Sequence, residues 1–311
     1  MKRFPDNARV LFIGDSITAT GTWISHIYDH YLRNFPDSGI RMYNAGISGG
    51  SVGSALMYLE DNGLNYQPTH AVIMLGMNDV HRTKYEIDET GAHIEKEAAS
   101  WLKAITIYEQ RMRKLTSILM ERGIQLTLVA PTPFDESQNP LALRKIGCDA
   151  ALEWVAEINR RLALEIHADF VNFHAPMRWM NVMNPFIRAD RVHPEAPGHV
   201  LMAHLFLAAQ GLIEEPTLTT MNALPAPDDL LPVNKARAEA EMAVRRMWNV
   251  EWLILQKQPK DAEVRRAFLE AFKPDDEYFE GLRSHYLAHM DEFDALCEKE
   301  LACVEACAAR A

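Results

Sequence analysis

Cysteine is scarce in this chain. Four cysteines in 311 residues, with no C-x-x-C pair among them, leave little material for a disulfide framework or a four-thiolate metal centre. Cys303 and Cys307 are four apart, hence on one face of a helix, but two thiols fall short of the four ligands structural zinc requires. Positive charge is also in deficit. The 32 Lys and Arg against 43 Asp and Glu give a formal net charge of -11, which counts against nucleic-acid phosphates or an anionic membrane surface as the main partner. No apolar run approaches the roughly 18 residues that span a bilayer. The VLFIG run near the start is shorter than the about 7–15 residues of a signal-peptide core, so a cytoplasmic location is expected. The dinucleotide fingerprint G-x-G-x-x-G is missing from the first turn, which reads GDSITATG. The G-x-S-x-G nucleophile elbow fails at Thr18, where its last glycine would stand. His and Asp are not clustered densely enough for a metal hydrolase, and neither metal nor cofactor is expected.

What is present is the composition of a globular protein with ample core, 48% hydrophobic and 24% charged. The first two-thirds alternates two periodicities. Short apolar runs at 8–13, 40–45, 70–75, 124–130 and 168–173 predict strands. Segments 19–34, 97–122, 148–166 and 196–210 carry apolar residues three or four apart and predict helices. This alternation predicts a parallel sheet covered on both faces, with its ligand site at the carboxyl ends of the strands. Beyond Gly211 the character changes. Residues 1–211 read as one α/β domain, 212–234 as a Pro-rich linker or wrapping segment, and 235–311 as a helical extension. The extension carries Met242, Met247, Trp248, Trp252 and Leu253, too much apolar surface to stay in water. It is expected to pack on the sheet domain or on a second subunit, giving a homo-oligomer contact.

Four motifs fall where a parallel sheet would gather them. Gly14-Asp15-Ser16 ends the first strand, Gly46 follows the second in NAGISGGS, and Asn78 and Asp79 follow the third in LGMND. Asp190 and His193 then stand three apart in ADRVHPEAPGH. A serine hydroxyl needs a base to take its proton and a third group to orient that base. Asp190 is spaced to reach the near ring nitrogen of His193 in a turn, and Pro194 biases His193 toward extended backbone. Each piece alone has an ordinary explanation as a turn or a cap. Of the twelve histidines, His193 has the persuasive context; His167, His174, His199 and His204 read as core or surface residues.

In this order and combination, the motifs resemble the block pattern of the SGNH (or GDSL) serine hydrolases over about residues 8–210. Ile17 replaces the name-giving Leu, apolar for apolar. The resemblance implies a three-layer α/β/α sandwich, flavodoxin-like, with a five-stranded parallel sheet. It implies Ser16 as nucleophile, His193 as general base and then acid, and Asp190 as its orienting partner. The oxyanion hole would be the backbone N–H of Ser16, the N–H of Gly46 and the side chain of Asn78. No cofactor is implied. The stretch Pro131–Asp135 is similar to bacterial members grouped with carbohydrate acetylesterases. The expected substrate is therefore a small-molecule ester, a short acyl group (acetyl foremost) on a carbohydrate or similar polar alcohol, cleaved through an acyl-enzyme. A lipase- or thioesterase-type member of the same family is the enzymatic alternative, and a scaffold acting through the helical tail the non-enzymatic one. Trp23, Phe134 and Trp179 are candidates for the acyl pocket, core packing being the commoner role of such residues.

Overall fold

The computed structural model describes residues 1–88, 90–94, 98–137, 145–217, 229–255, 261–274 and 276–309. Five strands, β1 (Arg9–Gly14), β2 (Arg41–Asn44), β3 (His70–Met74), β4 (Gln125–Val129) and β5 (Asp169–Val171), form one parallel sheet in the order β2-β1-β3-β4-β5. All but the first residue or two of each strand is buried, which is why they read as apolar runs rather than alternating ones. The chain steps from β1 outward to β2, then returns across β1 to β3, β4 and β5. Right-handed crossovers therefore place the first connecting helix on one face and the later ones on the other. Helices α1 (Ser16–Ala19) and α2 (Thr22–Asn34) follow β1, and α3 (Val52–Met57) follows β2. Next come α4 (Ala98–Glu121), α5 (Cys148–Glu165), α6 (His174–Met183) and α7 (Ala196–Ala209). α2 packs with α7 over one face, and α4 lies between α3 and α5 over the other. The result is the three-layer α/β/α sandwich, with its reversal of strand order at β1.

Helices α3 and α6 escaped the sequence periodicity. α3 is six residues long, too short to show a helical stripe, and is started by a capping box between Ser51 and Ser54. α6 carries Pro176 in its first turn, where a missing N–H costs nothing although the residue reads as a breaker.

The extension holds four α-helices among its described residues: α8 (Pro232–Leu253), α9 (Ala262–Ala271), α10 (Glu277–His289) and α11 (Phe293–Ala308). α8 starts three residues before the expected 235 because Pro232 occupies its first turn, where proline is favoured. The stretch 261–307 is broken after Ala271 and restarted by the Asp276 side chain accepting from Phe279 N. Of the expected linker 212–234, residues 218–228 lie outside the described residues. The extension has a small core of its own around Met247, Val250, Leu269, Leu282 and Tyr286. It is also joined to the sheet domain. α8 lies on α2, and α11 lies on α8 and along the outer edge of β2, where Val304 and Cys307 enter the main core. There Arg41 makes a two-pronged pair with Glu305 at 2.6 and 2.7 Å, and Tyr66 donates to Glu300 at 2.9 Å. Covering β2 removes an open sheet edge from solvent.

The join contains buried charge. Arg237 of α8 is fully buried, ion-paired to Glu241, and donates to Ser25 Oγ at 2.8 Å and Asn234 Oδ1 at 3.0 Å. Glu241 in turn accepts from Asn44 Nδ2 at the end of β2, at 2.9 Å. One turn further along, the fully buried Arg245 donates to Asn62 Oδ1 at 2.5 Å.

Candidate active site

β1 delivers Ser16. The strand ends at Gly14, where α1 turns back so closely that a Cβ would lie 2.1 Å from Thr18 Oγ1. Asp15 caps α1 by accepting from Ile17 N at 3.0 Å, which leaves half-buried Ser16 as the first helical residue, beyond the edge of the sheet. Asp15 is itself buried, and desolvation raises its carboxyl to about 6 against the lowering effect of the Ile17 amide and the nearby His193 and Arg82.

His193 arrives from the loop before α7. Asp190 Oδ1 accepts from Val192 N and His193 N, both at 2.9 Å, closing a tight turn. Arg191 takes a left-handed φ of 66° within it. Asp190 Oδ2 lies 2.7 Å from His193 Nδ1, and His193 Nε2 lies 2.7 Å from Ser16 Oγ. Partial burial works against ionisation of Asp190, but the two amides and the imidazole outweigh it and hold the carboxyl below its usual range. An ionised carboxylate only accepts, so Nδ1 carries the ring proton and Nε2 faces the serine hydroxyl with its lone pair. Ser16, His193 and Asp190, remote in sequence, form a continuous hydrogen-bonded line.

The turns after β2 and β3 flank the serine. Ile47 N donates to Gly14 O at 3.1 Å, and Asn78 Nδ2 donates to Gly50 O at 2.8 Å, so the three loops are tied together. Arg82 donates to Asn78 Oδ1 at 2.8 Å, which fixes the amide's orientation and turns its NH₂ toward the glycine loop. Asp79 braces the same loop by accepting from Val52 N at 3.0 Å. Burial pushes the Asp79 carboxyl up to about 7, with the Val52 amide opposing.

Gly46 departs from expectation. Its amide is buried and donates to Asn44 Oδ1 at 2.8 Å, so it is already used within the loop. Three residues on, Gly49 is exposed, has φ 68°, and its N–H has no hydrogen-bond partner among the described residues. NAGISGGS holds three glycines, and spacing alone does not say which amide faces outward; the side chain of Asn44 decides it.

A cavity of ≈ 690 Å³ opens at Ser16 and His193. Ser48, Arg188 and Asp190 line its sheet-domain side, and Met242, Arg246, Asn249, Tyr278 and Leu282 of α8 and α10 form its other wall. The sequence placed apolar residues in the extension but gave no sign that its polar ones face the serine. The aromatic candidates lie elsewhere. Trp23 is in the core, edge-on to Phe12 and Phe173; Phe134 is buried; Trp179 is 62% exposed; none lines this cavity. Among the described residues no group of three or more His, Cys, Asp and Glu is arranged to hold a metal ion. No helix among them is long and apolar enough to cross a membrane.

Residues 12–201 match a family model described as GDSL-like Lipase/Acylhydrolase family. An acetylxylan esterase of Geobacillus stearothermophilus is 27% identical over 226 residues, 65% of this chain and 94% of that protein. The solved structure of a catalytic mutant of an acetylxylan esterase from the same organism superposes with TM-score 0.55 and 23% identity over 70% of this chain and all of that one. A gut microbial diltiazem-metabolizing enzyme is similar along the whole chain, with TM-score 0.81, 17% identity and 96% of its own length covered. At such identities these two structures speak to the fold, and the second includes the C-terminal helices.

Proposed function

From a chain that belongs to the GDSL-like lipase/acylhydrolase family, and is a carboxylic ester hydrolase, we propose a serine esterase whose nucleophile is Ser16. The observation that carries this reading is the pair of 2.7 Å contacts running from Ser16 Oγ through His193 to Asp190. Ser16 Oγ attacks the ester carbonyl while Nε2 of His193 takes its proton. Asp190 stays ionised and stabilises the imidazolium. The tetrahedral oxyanion is met by the N–H groups of Ser16 and Gly49 and by the free N–H of Asn78, in place of the Gly46 amide. The alcohol leaves with the proton from His193, giving an acyl-Ser16 ester. Water then attacks that ester, again losing its proton to Nε2; His193 returns that proton to Ser16 Oγ as the C–O bond breaks, and the acid is released.

The substrate class is read from the cavity and the relatives. Its walls mix polar side chains, Ser48, Arg188, Arg246, Asn249 and Tyr278, with the apolar Ala19, Met242 and Leu282. The polar side chains give a hydroxyl-rich alcohol hydrogen-bonding groups that a long hydrocarbon chain could not use. A relative described as an acetylxylan esterase supports the same reading, an acetyl ester of a carbohydrate. Ser16→Ala should lower kcat on p-nitrophenyl acetate by about 10³-fold or more, and a fluorophosphonate should label Ser16 in the parent protein. Near-parental turnover in the variant would remove the nucleophile assignment. Faster cleavage of p-nitrophenyl octanoate than of the acetate or acetylated xylo-oligosaccharides would remove the substrate assignment.

A further inference from the structure

The Ser48–Gly49 turn is gripped from outside the sheet domain. Ser48 N donates to Asn249 Oδ1 of α8 at 2.7 Å. Tyr278 of α10 donates to Ser48 Oγ at 2.8 Å, and Trp252 Nε1 of α8 donates to Gly49 O at 3.3 Å. Leu253 closes on the same turn, since a Cβ at Gly49 would lie 3.1 Å from its Cδ2. Within the sheet domain, the bonds that fix the turn are on either side of this peptide: Ile47 N to Gly14 O, Gly50 N to Ile47 O, and Asn78 Nδ2 to Gly50 O. The polar atoms of Ser48 and Gly49 that are bonded therefore find their partners in the C-terminal extension, and the Gly49 N–H is left for a ligand.

We propose that the C-terminal helices are part of the catalytic apparatus: Asn249, assisted by Trp252 and Tyr278, is a positioning residue that holds the Ser48–Gly49 peptide so that the Gly49 amide meets the oxyanion. This rests on the serine-esterase reading above. A donor serves the transition state only if it is already aimed where charge develops, and a positive-φ turn carrying an unpaired amide does not aim itself. Asn249 accepts from Ser48 N of the Ile47–Ser48 peptide and Trp252 donates to Gly49 O of the Gly49–Gly50 peptide, so the extension holds the two peptide planes that flank the one carrying the Gly49 N–H. Asn249 is itself buried within α8, so it is held rigidly by the helix.

The test is steady-state kinetics on p-nitrophenyl acetate with the full-length chain. Asn249→Ala should lower kcat by about 10- to 10²-fold with KM within about twofold, because the aim of the donor matters chiefly in the transition state. Asn249→Asp keeps an acceptor for Ser48 N and should recover most of the loss. A trifluoromethyl ketone, which forms a tetrahedral adduct on the serine, should bind Asn249→Ala more weakly by the same factor as the fall in kcat/KM. Tyr278→Phe, at an exposed position, removes one hydroxyl without threatening the fold and should lower kcat several-fold; it carries the test if Asn249→Ala does not fold. Unchanged kcat and adduct affinity in folded Asn249→Ala, or in Tyr278→Phe where that variant stands in, would overturn the proposal while Ser16 labelling still upheld the nucleophile. Absence of Ser16 labelling in the parent protein would overturn both.

Discussion

The ion pair of Arg237 and Glu241 allows a prediction about what fastens the extension to the sheet domain. Both side chains are buried, at 0 and 3% exposure, so neither charge has water to fall back on. Glu241→Ala leaves the Arg237 guanidinium facing two neutral acceptors, Ser25 Oγ and Asn234 Oδ1, and deprives Asn44 Nδ2 of one of its two acceptors, the other being Thr18 O at 2.9 Å. Breaking a buried pair by removing one partner costs about 3–5 kcal/mol. In a chain of this size each kcal/mol is worth about 2 °C, so the melting temperature should fall by roughly 6–10 °C. Removing both charges behaves differently, because a buried pair replaced by apolar side chains of similar volume is often near neutral. Arg237→Met combined with Glu241→Leu loses the hydrogen bonds to Ser25 and Asn234, at about 1 kcal/mol each. The double variant should therefore be at least about 1 kcal/mol more stable than Glu241→Ala. Thermal and urea unfolding by circular dichroism at fixed pH would compare the parent, Glu241→Ala and the double variant. A double variant no more stable than Glu241→Ala would show that the lone buried guanidinium carries no penalty, and would refute the reasoning.

Asp190→Asn should keep the fold but lower kcat by about 10³-fold or more, since an amide neither fixes the Nδ1–H tautomer nor stabilises the imidazolium; retention of more than a tenth of parental turnover on p-nitrophenyl acetate would refute it. The buried carboxyls of Asp15, raised to about 6, and of Asp79 and Glu300, raised to about 7, bind protons in the folded chain that the unfolded chain, titrating near about 4, has released, so their contribution to stability is lost as pH rises from about 4 to 7. Buried histidines such as His199, lowered to about 3, act in the opposite sense, so the carboxyl contribution is read as a difference between variants. Asp79→Asn removes one such group, so the melting temperature of the variant relative to the parent should rise between pH 4.5 and 7.5; a difference that does not change with pH would refute the assignment.

Much of the site is local, and local features are legible in a sequence. Asp190 and His193 bond within one turn of chain, so a spacing of three and the following proline made them a candidate pair, and the order of the other motifs singled it out. Ser16 sits where an apolar strand gives way to a cap, and both signals lie within eight residues. The strands are short, buried on both faces and read as apolar runs, and their alternation with amphipathic helices made a covered parallel sheet the expected architecture. The proposed oxyanion loop was not legible in the same way. Whether Gly46 or Gly49 offers its amide depends on where the Asn44 side chain goes, and that depends on Glu241, almost 200 residues later, reaching its amide. The apolar residues of the extension announced that it must pack somewhere, because apolar area cannot stay in water. Which surface it covers was set by shape and by buried polar partners on both sides of the join. Tertiary structure alone brought Asn249, Trp252 and Tyr278 over the Ser48–Gly49 turn, because hydrogen bonds between segments this far apart leave no periodicity or spacing in the chain to read.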